Sequence, residues 1–173
     1  RMEGFDERRF QYRFFNKYER DDFKLTQYGY HRWSKETAHA PTIKDSYVLH
    51  IVLEGKGFVR VKNKQYQVLP GNAFLIRPGE LIDYYSDKNN IWSYIWLGVE
   101  GNSAEEFFFR CGFDEFNYVL PLTGVDELRA IIADMLSRPE TNAPDLYTVA
   151  KTYEFLSCFA SKISTLKRKS EAK

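Results

Sequence analysis

The stretch WSYIW, residues 92 to 96, places Trp92, Tyr94 and Trp96 at alternate positions. In a strand the three rings share one face and Ser93, Ile95 and Leu97 take the other. Large rings with a polar edge can serve as plain core, since each buries much apolar area. They can also hold a ligand. Three polar tips in a dry core need three partners, and a sugar would meet them. Its C–H face lies on a ring while its hydroxyls engage Tyr O–H, Trp N–H and His nitrogens. His50, inside YVLHIVLEGKGFVRV (47–61), shares a face with Val48 and Val52, opposite Tyr47, Leu49, Ile51 and Leu53. It lines a cavity or it is a core histidine bonded to a neighbouring carbonyl. No Ser/His/Asp spacing and no phosphate-cradling glycine loop accompanies these residues.

The elements that must position them follow from punctuation and period. From Phe23 to Glu100 short runs of Val, Ile, Tyr and Phe alternate with HAP, EGKG, KNKQ, LPGN, RPGE and SDKNN, the spacing of an antiparallel sandwich or barrel. Gly55 and Gly57 permit a tight hairpin turn between two strands. Past Gly101 the period becomes helical. NSAEEFFFRCGF predicts a helix capped at Asn102 or Ser103 and stopped at Gly112, and VDELRAIIADMLSRP puts Leu128, Ile131, Ile132, Met135 and Leu136 on one face, with Pro139 beyond the end. A third helix begins at Pro144 and Asp145. Its residues Leu146, Val149, Tyr153, Leu156, Ala160 and Ile163 recur at spacings of three and four, a stripe suited to dimerisation or to packing within its own chain. Tyr147, Phe155 and Phe159 lie off that seam. Residues 1–22 read as an N-terminal arm, 23–101 as a β-barrel, 102–166 as a helical segment and 167–173 as a linker or tail.

Composition narrows the class. The 173 residues carry 25 basic and 24 acidic side chains, net +1, so no global positive field recommends a nucleic-acid backbone as partner. Two cysteines, 47 positions apart (158 − 111), indicate neither a zinc site nor a disulfide framework. No apolar run approaches the ~18 residues of a membrane span, and charges interrupt the start where a secretory signal would be apolar. A reduced cytoplasm is the expected location, with no membrane partner. Aromatics make up 17% of the chain, compatible with a β core that holds a ligand.

LEGKG, PGNAFLIRPGE and WSYIWLGVEG, in this order and spacing, resemble the cupin-type N-terminal domain of AraC-type transcription regulators. The likeness runs from about Phe23 to Gly101, and the helices after it follow the family's layout. It implies a mainly β fold, a cupin-like jelly-roll barrel followed by a helical dimerisation segment. It further implies a small effector, a mono- or oligosaccharide, in the barrel, a homodimer, and DNA reading by a separate helix-turn-helix module not found in these residues. Positions matching Tyr84, Tyr94 and Trp96 contact the effector in the arabinose regulator, with His50 and Trp92 beside them. His39 and Lys44 fall on the segment that forms a cavity wall and are expected at the rim. Tyr94 stands where that regulator has a histidine, and Ala40 where it has an arginine. Related cupin enzymes hold a metal with histidines and a carboxylate. Here Val48 and Ile82 occupy two of those positions, and neither can donate a lone pair, so no metal, no cofactor and no enzyme are expected.

Overall fold

The computed structural model describes residues 5–15 and 21–164. In chain order the elements are β1 (Gln11–Phe14), β2 (Lys24–Arg32), β3 (Tyr47–Glu54), β4 (Gly57–Val61), β5 (Lys64–Val68), β6 (Asn72–Ile76), β7 (Asp83–Ser86), β8 (Ser93–Glu100), α1 (Ala104–Cys111), β9 (Val119–Pro121), α2 (Asp126–Leu136) and α3 (Leu146–Ser161). A six-stranded sheet runs β1-β2-β8-β3-β6-β9 and a three-stranded sheet runs β5-β4-β7; every described pair is antiparallel. The mainly β jelly-roll expectation holds, with the barrel realised as two separate sheets face to face. Strands join from both flanks, because β1 comes from the stretch read as an arm and β9 from the helical segment.

Strand parity organises the layers. Val48, Val52, Phe74, Tyr94 and Trp96 of the large sheet meet Val59, Val61 and Val68 of the small one. The alternate residues Leu49, Ile51, Leu75, Ile95 and Leu97 meet Phe108, Leu128, Ile132, Met135, Phe155 and Phe159 of the helices. The large sheet is thus covered on both faces, which is why its central strands are apolar at nearly every position.

The turn at Gly55 is not the expected hairpin. β3 pairs with β6 and β8, while β4 pairs with β5 and β7, so the turn carries the chain from one sheet to the other. Gly55 sits at φ 68°, and a Cβ there would lie 2.2 Å from the Ile91 carbonyl oxygen. Only glycine fits that corner. The true hairpin is β4–β5, whose loop residues Lys62 and Asn63 both have positive φ, as a two-residue turn matching strand twist requires.

All five residues of the expected α2 face are buried. In α3 the buried face is Thr148, Thr152, Phe155, Leu156 and Phe159, shifted from the anticipated stripe. Leu156 is buried in its own chain, and Ile163 packs partly against the same core and bridges to Leu122. Ala160 also packs there. The Tyr153 hydroxyl bonds the Asp22 carboxylate. Val149 is half-buried and Leu146 is 88% exposed. The tail at 167–173 lies outside the described residues.

Candidate ligand site between the sheets

A cavity of about 300 Å³ opens at one end of the space between the sheets. Its inner wall is built by β3 and β8, which place His50 opposite Trp96 and Val52 opposite Tyr94; Tyr84 enters from β7. Lys44 and Val48 complete that side. β2 contributes Gln27 and His31, and β1 contributes the aromatic row that forms the mouth, Phe10 just before the strand and then Tyr12 and Phe14.

Trp96 owes its position to a neighbour without a side chain. Gly29 faces it across the β2–β8 ladder, and a Cβ there would come within 2.5 Å of the indole ring. The indole N–H donates to Gln27 Oε1 at 3.0 Å, which fixes the ring's tilt. Tyr94 accepts a hydrogen bond from Trp33 Nε1 at 2.9 Å, and its hydroxyl interacts with that of Tyr84. The His50 ring stacks on Phe74 with centroids 4.5 Å apart and 3° between planes, and it meets Tyr84 and Tyr94 at 5.1 and 5.0 Å. These rings, with the Val48 carbonyl beside the imidazole, set its orientation. His50 Nδ1 is buried and makes no hydrogen bond, which costs stability unless something else supplies a partner.

The electrostatics keep this wall neutral. Burial pushes the His50 pKa down to about 3, the Lys44 charge reinforces the shift, and the Val48 carbonyl opposes it. Burial also lowers His31. Tyr84 is raised by burial and then by the Asp83 charge, and Tyr94 is raised by burial and then by Tyr84. At neutral pH the wall consists of an uncharged imidazole and two phenols, able to donate and accept hydrogen bonds. Lys44 is the one Lys, Arg, Asp or Glu among the lining residues. Such a surface suits a neutral polyhydroxyl compound.

Five of the seven expected ligand residues, His50, Tyr84, Tyr94, Trp96 and Lys44, come together here. Two do not. Trp92 is 0% exposed; it stacks on Phe74 and meets Trp33 and Tyr94 at near right angles. It fills the closed end of the interior, where Gly57 makes room for its ring. His39 lies in a separate cleft beyond Trp33, stacked on Tyr85 at 4.5 Å with its Nδ1 2.9 Å from Asp83 Oδ1. Gln27 and His31 were missed, although β2 parity with Trp33 would have found them. Phe10, Tyr12 and Phe14 carried an alternation that could also have been read. Val48 and Ile82 are buried in the interior as apolar groups, and no cluster of three or more His, Cys, Asp or Glu able to hold a metal occurs among the described residues. No helix among them is long and apolar enough to cross a membrane.

Known proteins resemble this chain in sequence and in fold. The chain is 33% identical over 93 residues to the Msm operon regulatory protein of Streptococcus mutans, covering 53% of this chain and 34% of that protein. It is 24% identical over 123 residues to the lactose operon transcription activator of Staphylococcus xylosus, covering 70% of this chain and 44% of that one. The chain thus spans less than half the length of these relatives. Among solved structures, YhaK from Escherichia coli shares the fold at a TM-score of 0.50 and 15% identity, over 68% of this chain and 53% of that one. Residues 24–156 match the model of the AraC-like ligand binding domain. The chain belongs to the AraC-like ligand binding domain family.

Proposed function

We propose that this chain is the effector-sensing part of a cytoplasmic transcription regulator, that its effector is a saccharide bound between the sheets, and that DNA is read by a helix-turn-helix module outside these residues. The observation that carries the reading is the cavity wall of His50, Tyr84, Tyr94 and Trp96, flat rings with uncharged polar edges. Two relatives are named as operon regulators, one of them for the lactose operon. An enzymatic role lacks support, since Val48 and Ile82 stand where cupin ligands would be needed.

Thermal-shift screening against a sugar panel tests this. A ligand at a hundredfold excess over its Kd stabilises the fold by about 2.7 kcal/mol, about 5–10 °C for a domain of this size. The shift should vanish in Trp96→Ala, with Trp96→Phe retaining part of it. A panel without any shift would favour an interior already filled by its own rings, as Trp92 fills the closed end.

Homodimerisation belongs to the same proposal, through the part of α3 that stays outside the core: Leu146, Val149 and Tyr153. Leu146→Glu with Val149→Glu should move sedimentation toward monomer without changing the melting temperature.

A further inference from the structure

The cavity is too small for a long ligand, yet its mouth is lined with more aromatic surface than one ring can cover. A hexose has roughly twelve non-hydrogen atoms, each displacing about half of the ~30 Å³ of a liquid water. One ring against Trp96 therefore takes up little more than half of the cavity of about 300 Å³ and leaves the part along β1 uncovered. Phe10, Tyr12 and Phe14 line the same cavity and are still 54%, 52% and 59% exposed. They alternate along β1, with Tyr12 opposite Gly29 and Phe14 opposite Gln27, so all three rings stand on the cavity side of the sheet. From position 10 to 14 the row extends about 13 Å at ~3.3 Å per residue. The Phe10 ring lies 4.3 Å from His31 and 6.2 Å from Trp96, which makes the row continuous with the inner stacking surface. Exposed aromatics grouped on one face mark a binding surface. Flat apolar faces beside hydroxyl and imidazole groups fit the C–H faces of further sugar rings.

We propose that the effector is an oligosaccharide of at least two rings, its end ring in the cavity against Trp96 and the next ring on the Phe10, Tyr12, Phe14 row. This rests on the saccharide reading above and adds the ligand's length and direction.

Calorimetry with two ladders, glucose, maltose and maltotriose, and galactose, melibiose and raffinose, tests it. In the ladder that binds, the disaccharide should bind at least tenfold tighter than the monosaccharide. Tyr12→Ala combined with Phe14→Ala should erase that tenfold, weakening the disaccharide far more than the monosaccharide, whereas Trp96→Phe should weaken every rung alike. Both β1 side chains are more than half exposed, so the double variant should keep its melting temperature. Equal affinity along the ladder, or equal loss for every rung in the double variant, would overturn the proposal and leave the saccharide reading standing, with the row as a plain wall. Absence of binding by all six sugars would overturn both.

Discussion

The two faces of the six-stranded sheet are built from the same strands and do different work. The helix-side face, with Leu25, Leu49, Ile51, Leu75, Ile95, Leu97 and Val99, is closed by Phe108, Leu128, Ile132, Met135, Phe155 and Phe159. On this side the Tyr28 hydroxyl reaches the Met135 carbonyl at 3.5 Å and the Arg13 guanidinium reaches the Leu136 carbonyl at 3.4 Å, with Arg13 Nε left without a partner. The other face holds His50, Tyr94 and Trp96 against a cavity. Of the four buried polar side-chain atoms without a partner among the described residues, two, His50 Nδ1 and Trp92 Nε1, belong to that inner layer. One face is a finished core and the other is a core left open at one end. Alternation by a single residue along β3 and β8 separates the closed core from the cavity wall.

The contrast can be broken most forcefully on the helix side. Leu156→Asp buries a charge in the finished core and should abolish cooperative folding; Phe155→Ala should cost about 3–5 kcal/mol in urea denaturation. Leu146→Glu, one helix turn or more away but exposed, should stay within about 0.5 kcal/mol of the parent. A folded Leu156→Asp protein of normal stability would mean that the helices do not close this layer.

On the cavity side the largest expected effect is one of pH. His50 stays neutral in the folded chain down to about pH 3 but takes a proton near 6.5 when unfolded. Below pH 6.5 the unfolded state binds the extra proton, so stability falls as pH drops toward 3 and is flat above about 7. His31, also lowered by burial, acts in the same direction. The His50 contribution reaches at most about 5 kcal/mol at about 1.4 kcal/mol per pH unit. His50→Phe should flatten that part of the profile. An unchanged acid limb would show that His50 is not the buried titrating group.

Smaller effects sharpen the account of the site. Gly29→Ala forces the Trp96 ring to move and should cost about 1–3 kcal/mol together with most of the ligand affinity; Gly71→Ala, where a Cβ would meet nothing within 4 Å, should leave affinity intact despite its positive φ. Tyr84→Phe removes one hydroxyl from the wall and should weaken saccharide binding by about 0.5–1.5 kcal/mol. Undiminished binding in both Gly29→Ala and Tyr84→Phe would place the ligand elsewhere.

Much of this contrast could be read from residue order. Period-two alternation sorted His50, Tyr94 and Trp96 from Leu49, Ile95 and Leu97, because a strand sends neighbours to opposite faces whatever its partners are. Pairing was less legible. Gly55 announces a turn, but which strand β4 meets depends on the small sheet that β5 and β7 complete. Depth was equally hidden: Trp92 and Trp96 share a face, and only Gly57 and Phe74 at one end, with Gly29 and β1 at the other, make the first a plug and the second a wall. In α3 two stripes overlap at helical spacing. The one bearing Phe155 and Phe159 packs inward, and it takes Leu156 with it. The row on β1 escaped because a stretch with scattered charges reads as an arm until its pairing with β2 is known.

The central claim is that the open end of the inner layer, lined by His50, Tyr84, Tyr94 and Trp96, holds the effector. The chain has three histidines, so nitrogen-15 NMR of the imidazoles during titration with the saccharide found by thermal shift gives a direct answer. His50 and His31 should move to saturation together, at the Kd found by calorimetry, while His39 in its separate cleft stays fixed. A ligand that saturates the protein while moving His39 alone, or none of the three, would contradict the account.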